Sequence, residues 1–199
     1  MKRRYEIRLA GEGGQGLILA GLILSEAAVL YDHKYAVQTQ AYGPQVRGGI
    51  SRSEVIIDAD PIDYPLIIRA DVLLALSQQA CDRYGPELRP DGLLIADADL
   101  VSRVPCERAI RVPITALARE TTGRAITANV LSLGLIAGLT AAPDGELVTI
   151  PALEQAIAAR VPKGTLETNL LALHAGLAQA ALWKKQAADG GSLPETRGS

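Results

Sequence analysis

The chain has 199 residues, enough for one full hydrophobic core with a small appendage. Its formal net charge is −2 and its lysines and arginines are scattered, so the electrostatic footprint of a nucleic-acid binder is missing. Hydrophobic residues make up 48% but aromatics only 4%, with no Phe, so the core has to be built from Leu, Ile, Val and Ala, which suits closely packed α/β layers. The cysteines Cys81 and Cys106 form no CxxC pair, so neither a zinc site nor an iron–sulfur cluster is assembled from this chain alone. The basic start Met1-Lys2-Arg3-Arg4 leads into an apolar run too short for a signal peptide, and no run has the length and purity of a membrane span. The expectation is a soluble, cytoplasmic protein.

In chain order, Tyr5–Ala10 reads as a strand, Gly11–Gly16 as a glycine-rich turn and Leu17–Tyr31 as an apolar helix. A second strand, Lys34–Gln40, runs into the unusual stretch Ala41–Gly49. The segment Ser51–Ile57 follows with too little chain for a helical crossover, which predicts an antiparallel or edge strand. Val72–Ser77 and Leu93–Asp97 are almost continuously apolar, as central strands covered on both faces are, and Ala109–Val112 is a further strand. Thr115 is placed to cap a short helix ending at Arg119, Thr127 to open a long one, and Pro151 to start a helix over Ala152–Val161. A last helix, Thr165–Lys185, sets Leu166, Leu170, Leu173 and Leu177 on one face. The pattern predicts a three-layer, Rossmann-like α/β domain whose mostly parallel sheet is mixed if Ser51–Ile57 is antiparallel. Residues 1–186 read as a single domain, and 187–199 as a disordered tail with too little apolar content to fold.

The stretch Gly11-Glu12-Gly13-Gly14-Gln15-Gly16 satisfies GxGxxG between a strand and a helix, where free N–H groups and the helix dipole attract a phosphate. A dinucleotide site also needs an acidic residue ending the second strand, and Tyr35-Ala36-Val37-Gln38-Thr39-Gln40 has none. Asp32 precedes that strand, so an ordinary NAD site is disfavoured. The simpler alternative is that these glycines only let strand and helix pack closely. If the first two strands are parallel neighbours, Tyr42-Gly43-Pro44-Gln45-Val46-Arg47-Gly48-Gly49 emerges beside the first turn. Arg47 would grip a phosphate or carboxylate there, and Gly48-Gly49 would leave room for a ligand or a neighbouring chain. His33 and His174 have no nucleophile or ligand partner nearby in sequence and read as ordinary histidines.

These two glycine-rich motifs, in this order and at this chain length, resemble the gamma subunit of 2-oxoacid:ferredoxin (acceptor) oxidoreductases, the pyruvate, 2-oxoglutarate and ketoisovalerate oxidoreductase family. The similarity continues through Asn129 with Gly134, and through Lys163, Asn169 and Gly176, and so covers nearly the whole chain. The resemblance implies a subunit without full activity alone, in an enzyme that converts a 2-oxoacid and coenzyme A to acyl-CoA, CO2 and reduced acceptor, with 2-oxoglutarate favoured. It implies that Gly11, Gly13, Gly14, Gln15 and Gly16 form an anion-receiving turn. Tyr42, Gly43, Pro44, Arg47, Gly48 and Gly49 would face coenzyme A or a partner, and Asn129 would line the crevice or satisfy backbone groups at a helix end. Thiamine diphosphate, Mg and iron–sulfur clusters would sit on partners: thiamine-binding alpha and beta subunits and a ferredoxin-like subunit. The alternatives from other classes are a stand-alone nucleotide-dependent enzyme and a regulatory nucleotide-binding module.

Overall fold

The computed structural model describes residues 4–41, 49–106, 108–141 and 146–189. In chain order the elements are β1 (Arg4–Glu12), α1 (Leu17–Glu26), β2 (Tyr35–Ala41), β3 (Ile50–Asp58), β4 (Ala70–Ala75), α2 (Gln78–Tyr84), β5 (Leu88–Asp97), β6 (Ile110–Val112), α3 (Ile114–Thr122), α4 (Ala128–Thr140), α5 (Ile150–Arg160) and α6 (Leu166–Ala188). They build the mixed α/β fold with a mostly parallel sheet that the apolar pattern predicts. The strand order is β2-β3-β1-β4-β5-β6. β1, β4, β5 and β6 are parallel neighbours, with Leu9 opposite Leu74 and Leu74 opposite Ile95. β3 runs antiparallel to both β1 and β2.

The antiparallel reading of β3 holds, but this strand is not at an edge: it is inserted between β2 and β1. The first two strands therefore point the same way without being neighbours. That removes the adjacent second strand on which a dinucleotide site would place its ribose carboxylate, a stronger objection to NAD than the missing acid alone.

Side-chain alternation gives the sheet two unlike faces. Ile7, Leu9, Val55, Val72, Leu74 and Ile95 belong to the large core that α1, α4, α5 and α6 cover. Ala10, Leu73, Ala75, Leu94 and Ala96 belong to a smaller core under α2, with Ala80, Cys81 and Tyr84. On that second face Arg8 is 1% exposed. There Glu54 and Glu87 accept from it at 2.7 and 2.6 Å, and its guanidinium lies 4.8 Å from the centroid of the Tyr84 ring, so the buried side chain is fully partnered. α4 and α6 cross with their backbones almost touching: a Cβ on Gly134 would lie 2.1 Å from the Leu173 carbonyl oxygen, and one on Gly176 2.1 Å from that of Leu131.

Several boundaries differ from the sequence reading for local reasons. The helix expected over Leu17–Tyr31 ends as α at Glu26, and Ala27–Tyr31 winds as one π-type turn. Thr115 lies inside the first turn of α3 and caps nothing itself: Asp97 accepts its amide at 2.9 Å and its hydroxyl at 2.5 Å. α3 continues past Arg119 until Gly123, whose φ of +75° ends it. Thr127 precedes α4 without a side-chain cap, whereas Thr149 does cap α5, accepting from the Ala152 amide at 3.3 Å. α2 is too short to show helical periodicity, and its start is marked only by Ser77, which accepts from the Ala80 amide at 3.2 Å. α6 continues to Ala188 and so takes in the first two residues of the expected tail, 187 and 188; residues 190–199 lie outside the described residues.

Candidate functional site: the carboxyl-edge crevice

β1 is followed by a helix on one face of the sheet and β4 by a helix on the other, so a crevice opens between their carboxyl ends. The glycine turn fills the β1 side of it. Gly11 and Glu12 still belong to the strand, opposite Ser51 and Ile50 of β3. Beyond them the chain reverses through Gly14 and Gly16, with φ of +87° and +73°, a region that L side chains rarely enter.

Two side chains fix the turn. Gln15 Oε1 accepts the Glu12 amide at 2.7 Å and its Nε2 donates to the Leu76 carbonyl at 2.9 Å, lashing the turn to the end of β4. Asn129, 3% exposed, donates from Nδ2 to the Gly16 carbonyl at 3.1 Å and accepts the Val130 amide on Oδ1 at 2.8 Å. Both polar ends of Asn129 are thus used inside the chain, which makes it a positioning residue that ties the start of α4 to the start of α1. A Cβ on Gly11 would lie 2.1 Å from Gln15 Oε1, and one on Gly16 2.5 Å from Asn129 Nδ2. Packing asks for glycine at both positions, and at Gly16 the positive φ asks for it as well. Gly13 and Gly14 are exposed, and a Cβ on either would meet nothing within 4 Å.

The electrostatics favour an anion. Neither α1 nor α4 carries an acidic residue in its first turn, so their amino-terminal dipoles are not offset from within. Among the described residues the amides of Gly13, Gly14 and Gly16 have no backbone acceptor. Beside the turn, Gly14, Gln15, Leu76, Thr115, Ala125 and Ile126 line a cleft of about 190 Å³. A second cleft of about 180 Å³ lies beyond Asn129, between the starts of α4 and α6.

Of the second motif, Tyr42, Gly43, Pro44, Arg47 and Gly48 lie outside the described residues. Its flanks are placed at this same edge. Ala41 ends β2 opposite Arg52, and Gly49, with φ of +75°, precedes Ile50, which pairs with Glu12 of the turn. The geometry thus brings Gly11, Gly13, Gly14, Gln15, Gly16, Gly49 and Asn129 to one end of the sheet. Arg124 also lines the second cleft; in the sequence it is one arginine among many, with no motif around it.

Among the described residues no group of three or more His, Cys, Asp or Glu is arranged to hold a metal, and no helix is long and apolar enough to cross a membrane. Burial, with Asp82 and Cys106 nearby, pushes the Cys81 thiol up from 9.0 to about 11, so it is protonated at neutral pH.

A doubly wound sheet with a glycine-rich turn at its switch point defines a Rossmann-like α/β domain. Within that class, the chain belongs to the pyruvate ferredoxin/flavodoxin oxidoreductase family, whose sequence profile matches residues 6–179. It is 47% identical over 180 residues to the 2-oxoglutarate synthase subunit KorC of Methanocaldococcus jannaschii, covering 88% of this chain and 94% of that one. The crystal structure of a keto/oxoacid ferredoxin oxidoreductase gamma subunit from Geobacter sulfurreducens superposes with a TM-score of 0.78 at 43% identity, over 89% of this chain and 99% of that one. A 2-oxoglutarate:ferredoxin oxidoreductase from Magnetococcus marinus, solved with 2-oxoglutarate, coenzyme A and succinyl-CoA bound, shares the fold with a TM-score of 0.74 at 20% identity. The match covers 92% of this chain and 32% of that one.

Proposed function

We propose that this chain is the gamma subunit of a multi-subunit 2-oxoacid oxidoreductase, with 2-oxoglutarate the favoured substrate, and that it forms the coenzyme A side of the active site. The overall reaction joins the acyl group of a 2-oxoacid to the coenzyme A thiol, releases CO2 and passes two electrons to an acceptor. Relatives named 2-oxoglutarate synthase subunit KorC, at 46–47% identity, support the substrate class. Thiamine diphosphate, when bound to the complex, supplies the carbanion chemistry of decarboxylation. The sequence lacks a GDG motif for holding it, and the described residues offer no metal-binding cluster. That group and the iron–sulfur clusters are therefore assigned to alpha, beta and ferredoxin-like partners, in the cytoplasm.

The work left to this chain is positioning. The turn amides and the amino ends of α1 and α4 would hold a phosphate group, while Gln15 and Asn129 keep the turn from rearranging as the anion arrives. Tyr42, Gly43, Pro44, Arg47, Gly48 and Gly49 would close over it or meet the partner. The observation that carries this reading is Gly13. Neither its φ nor any contact among the described residues requires glycine there, so the missing side chain leaves room for something outside the described chain to approach the backbone.

Co-expression with the chains encoded beside it tests the proposal. The expected result is a stable complex that reduces a viologen dye with 2-oxoglutarate in a coenzyme A-dependent manner. A chain that purifies as a monomer and ignores its partners overturns the assignment. A complex that prefers pyruvate overturns only the substrate.

A further inference from the structure

We propose that the cleft at the amino end of α6 is a second anion subsite, in which Arg124 reads the phosphomonoester on the ribose of coenzyme A. This rests on the reading that the carboxyl-edge crevice takes coenzyme A. The cleft, about 180 Å³, is lined by Arg124, Thr127, Asn129, Thr165, Thr168 and Asn169 among others. Apolar side chains, Leu19, Ile126, Val161 and Pro162, form much of its wall, and its polar groups are set among them. The Arg124 guanidinium has no ion pair or hydrogen bond among the described residues, and neither has the Thr168 hydroxyl. The first α6 amides, those of Leu166, Glu167 and Thr168, lie ahead of the Asn169-to-Thr165 bond that begins the helix ladder, and so are open to an anion.

Asn169, in the first turn of α6, adds a side-chain amide to this end of the cleft. It is 9% exposed, and its Nδ2 is committed to the Thr165 carbonyl at 2.8 Å and the Thr165 hydroxyl at 3.2 Å. Its Oδ1 has no partner among the described residues, and the residue lines the cleft. An accessible acceptor beside these donors suits a ligand that offers both an anion and a hydroxyl. The ribose of coenzyme A carries these on adjacent carbons, a phosphomonoester beside a free hydroxyl. Glu167, the acidic residue in the first turn of α6, is exposed and is not part of the lining.

The position also fits. Asn129 lines this cleft and at the same time holds the Gly16 carbonyl at 3.1 Å, so a single side chain separates it from the glycine turn. Coenzyme A has two anionic centres on one adenosine, the pyrophosphate and the phosphomonoester. The glycine turn would receive the first and Arg124 the second.

The test compares coenzyme A with dephospho-coenzyme A, which lacks only that phosphomonoester, in the assembled enzyme. The wild type is expected to show a KM for coenzyme A about 10- to 100-fold below that for the dephospho form, the scale of one charge-assisted contact. In Arg124→Ala the ratio should fall towards one, and Arg124→Lys should keep part of it. Arg69→Ala removes another exposed arginine, at the opposite end of the sheet, and should leave the wild-type ratio. An equal ratio in wild type and Arg124→Ala overturns the inference. Hydrogen exchange separates this from failure of the underlying reading. If coenzyme A protects residues 11–16 while the ratio ignores Arg124, only the second subsite falls. If coenzyme A leaves residues 11–16 unprotected, the coenzyme A reading falls with it.

Discussion

Gly134 and Gly176 differ from Gly13 and Gly14 in what made glycine necessary. In the α4–α6 crossing a Cβ would run into backbone carbonyls 2.1 Å away, so the fold alone dictates the residue. In the turn, a Cβ on Gly13 or Gly14 would stand in open space. Gly14 is accounted for by its φ of +87°, and Gly13 by nothing within the described chain. Gly11 and Gly16 lie between these cases, filled by the side chains of Gln15 and Asn129. The GxGxxG pattern therefore contains two physical demands, packing and conformation, and Gly13 answers to neither among the described residues.

The sharpest way to break this comparison is Gly176→Val. Because the obstructing atom is the Leu131 carbonyl oxygen, no side-chain rotation relieves the clash, and the helices must separate. The expected cost is more than about 3 kcal/mol, read as a drop in Tm on the order of 10 °C or as failure to accumulate folded protein. A variant as stable as wild type would show that the crossing is not tight, and would remove the contrast with the turn.

Asn129→Ala comes next. It removes the bond to the Gly16 carbonyl and the partner of the Val130 amide, and leaves buried polar groups unpaired. About 1–3 kcal/mol of stability should be lost, with a Tm lower by several degrees. Since the clamp also sets the turn, the assembled enzyme should show a higher KM for coenzyme A. A lower Tm with an unchanged KM would mean that the turn's geometry does not matter to the ligand.

Gly13→Ala isolates access. The open space and ordinary backbone predict an unchanged Tm, with a rise of about tenfold in KM for coenzyme A. If the KM stays put, Gly13 leaves room for no ligand, and the simpler view that these glycines serve packing gains the ground.

What the sequence reveals of the fold and the site follows the same distinction. The strands were legible where burial on both faces leaves unbroken apolar runs, as in Val72–Leu76 and Leu93–Ala96. Their neighbours were not, because pairing β1 with β3 and not with β2 depends on contacts far apart in sequence. α2 was missed because seven residues barely make two turns. In the site, the turn was legible from its glycines, whereas the roles of Gln15 and Asn129 depend on bonds 61 and 113 residues away in sequence. Arg124 carries no local signal at all, and only the fold places it beside Asn129 and Asn169.

The smallest expected effect tests the sign of charge at the turn. Glu12 is the one acidic side chain in Gly11–Gly16, and it is exposed. Its amide is held by Gln15, so the backbone should survive a change of side chain. A carboxylate beside a bound phosphate repels it, but water and salt screen the interaction, which leaves about 0.3–1 kcal/mol. Glu12→Gln should therefore lower the KM for coenzyme A by about two- to fivefold at low ionic strength, and by less as salt is raised. Gly13→Ala has no such salt dependence, since it acts through volume and not charge. Finding the Glu12 effect without its salt dependence would place the cause in altered turn geometry. Finding neither at low salt would mean that no anion sits at the turn, and Gly13 would then need some other visitor to explain its missing side chain.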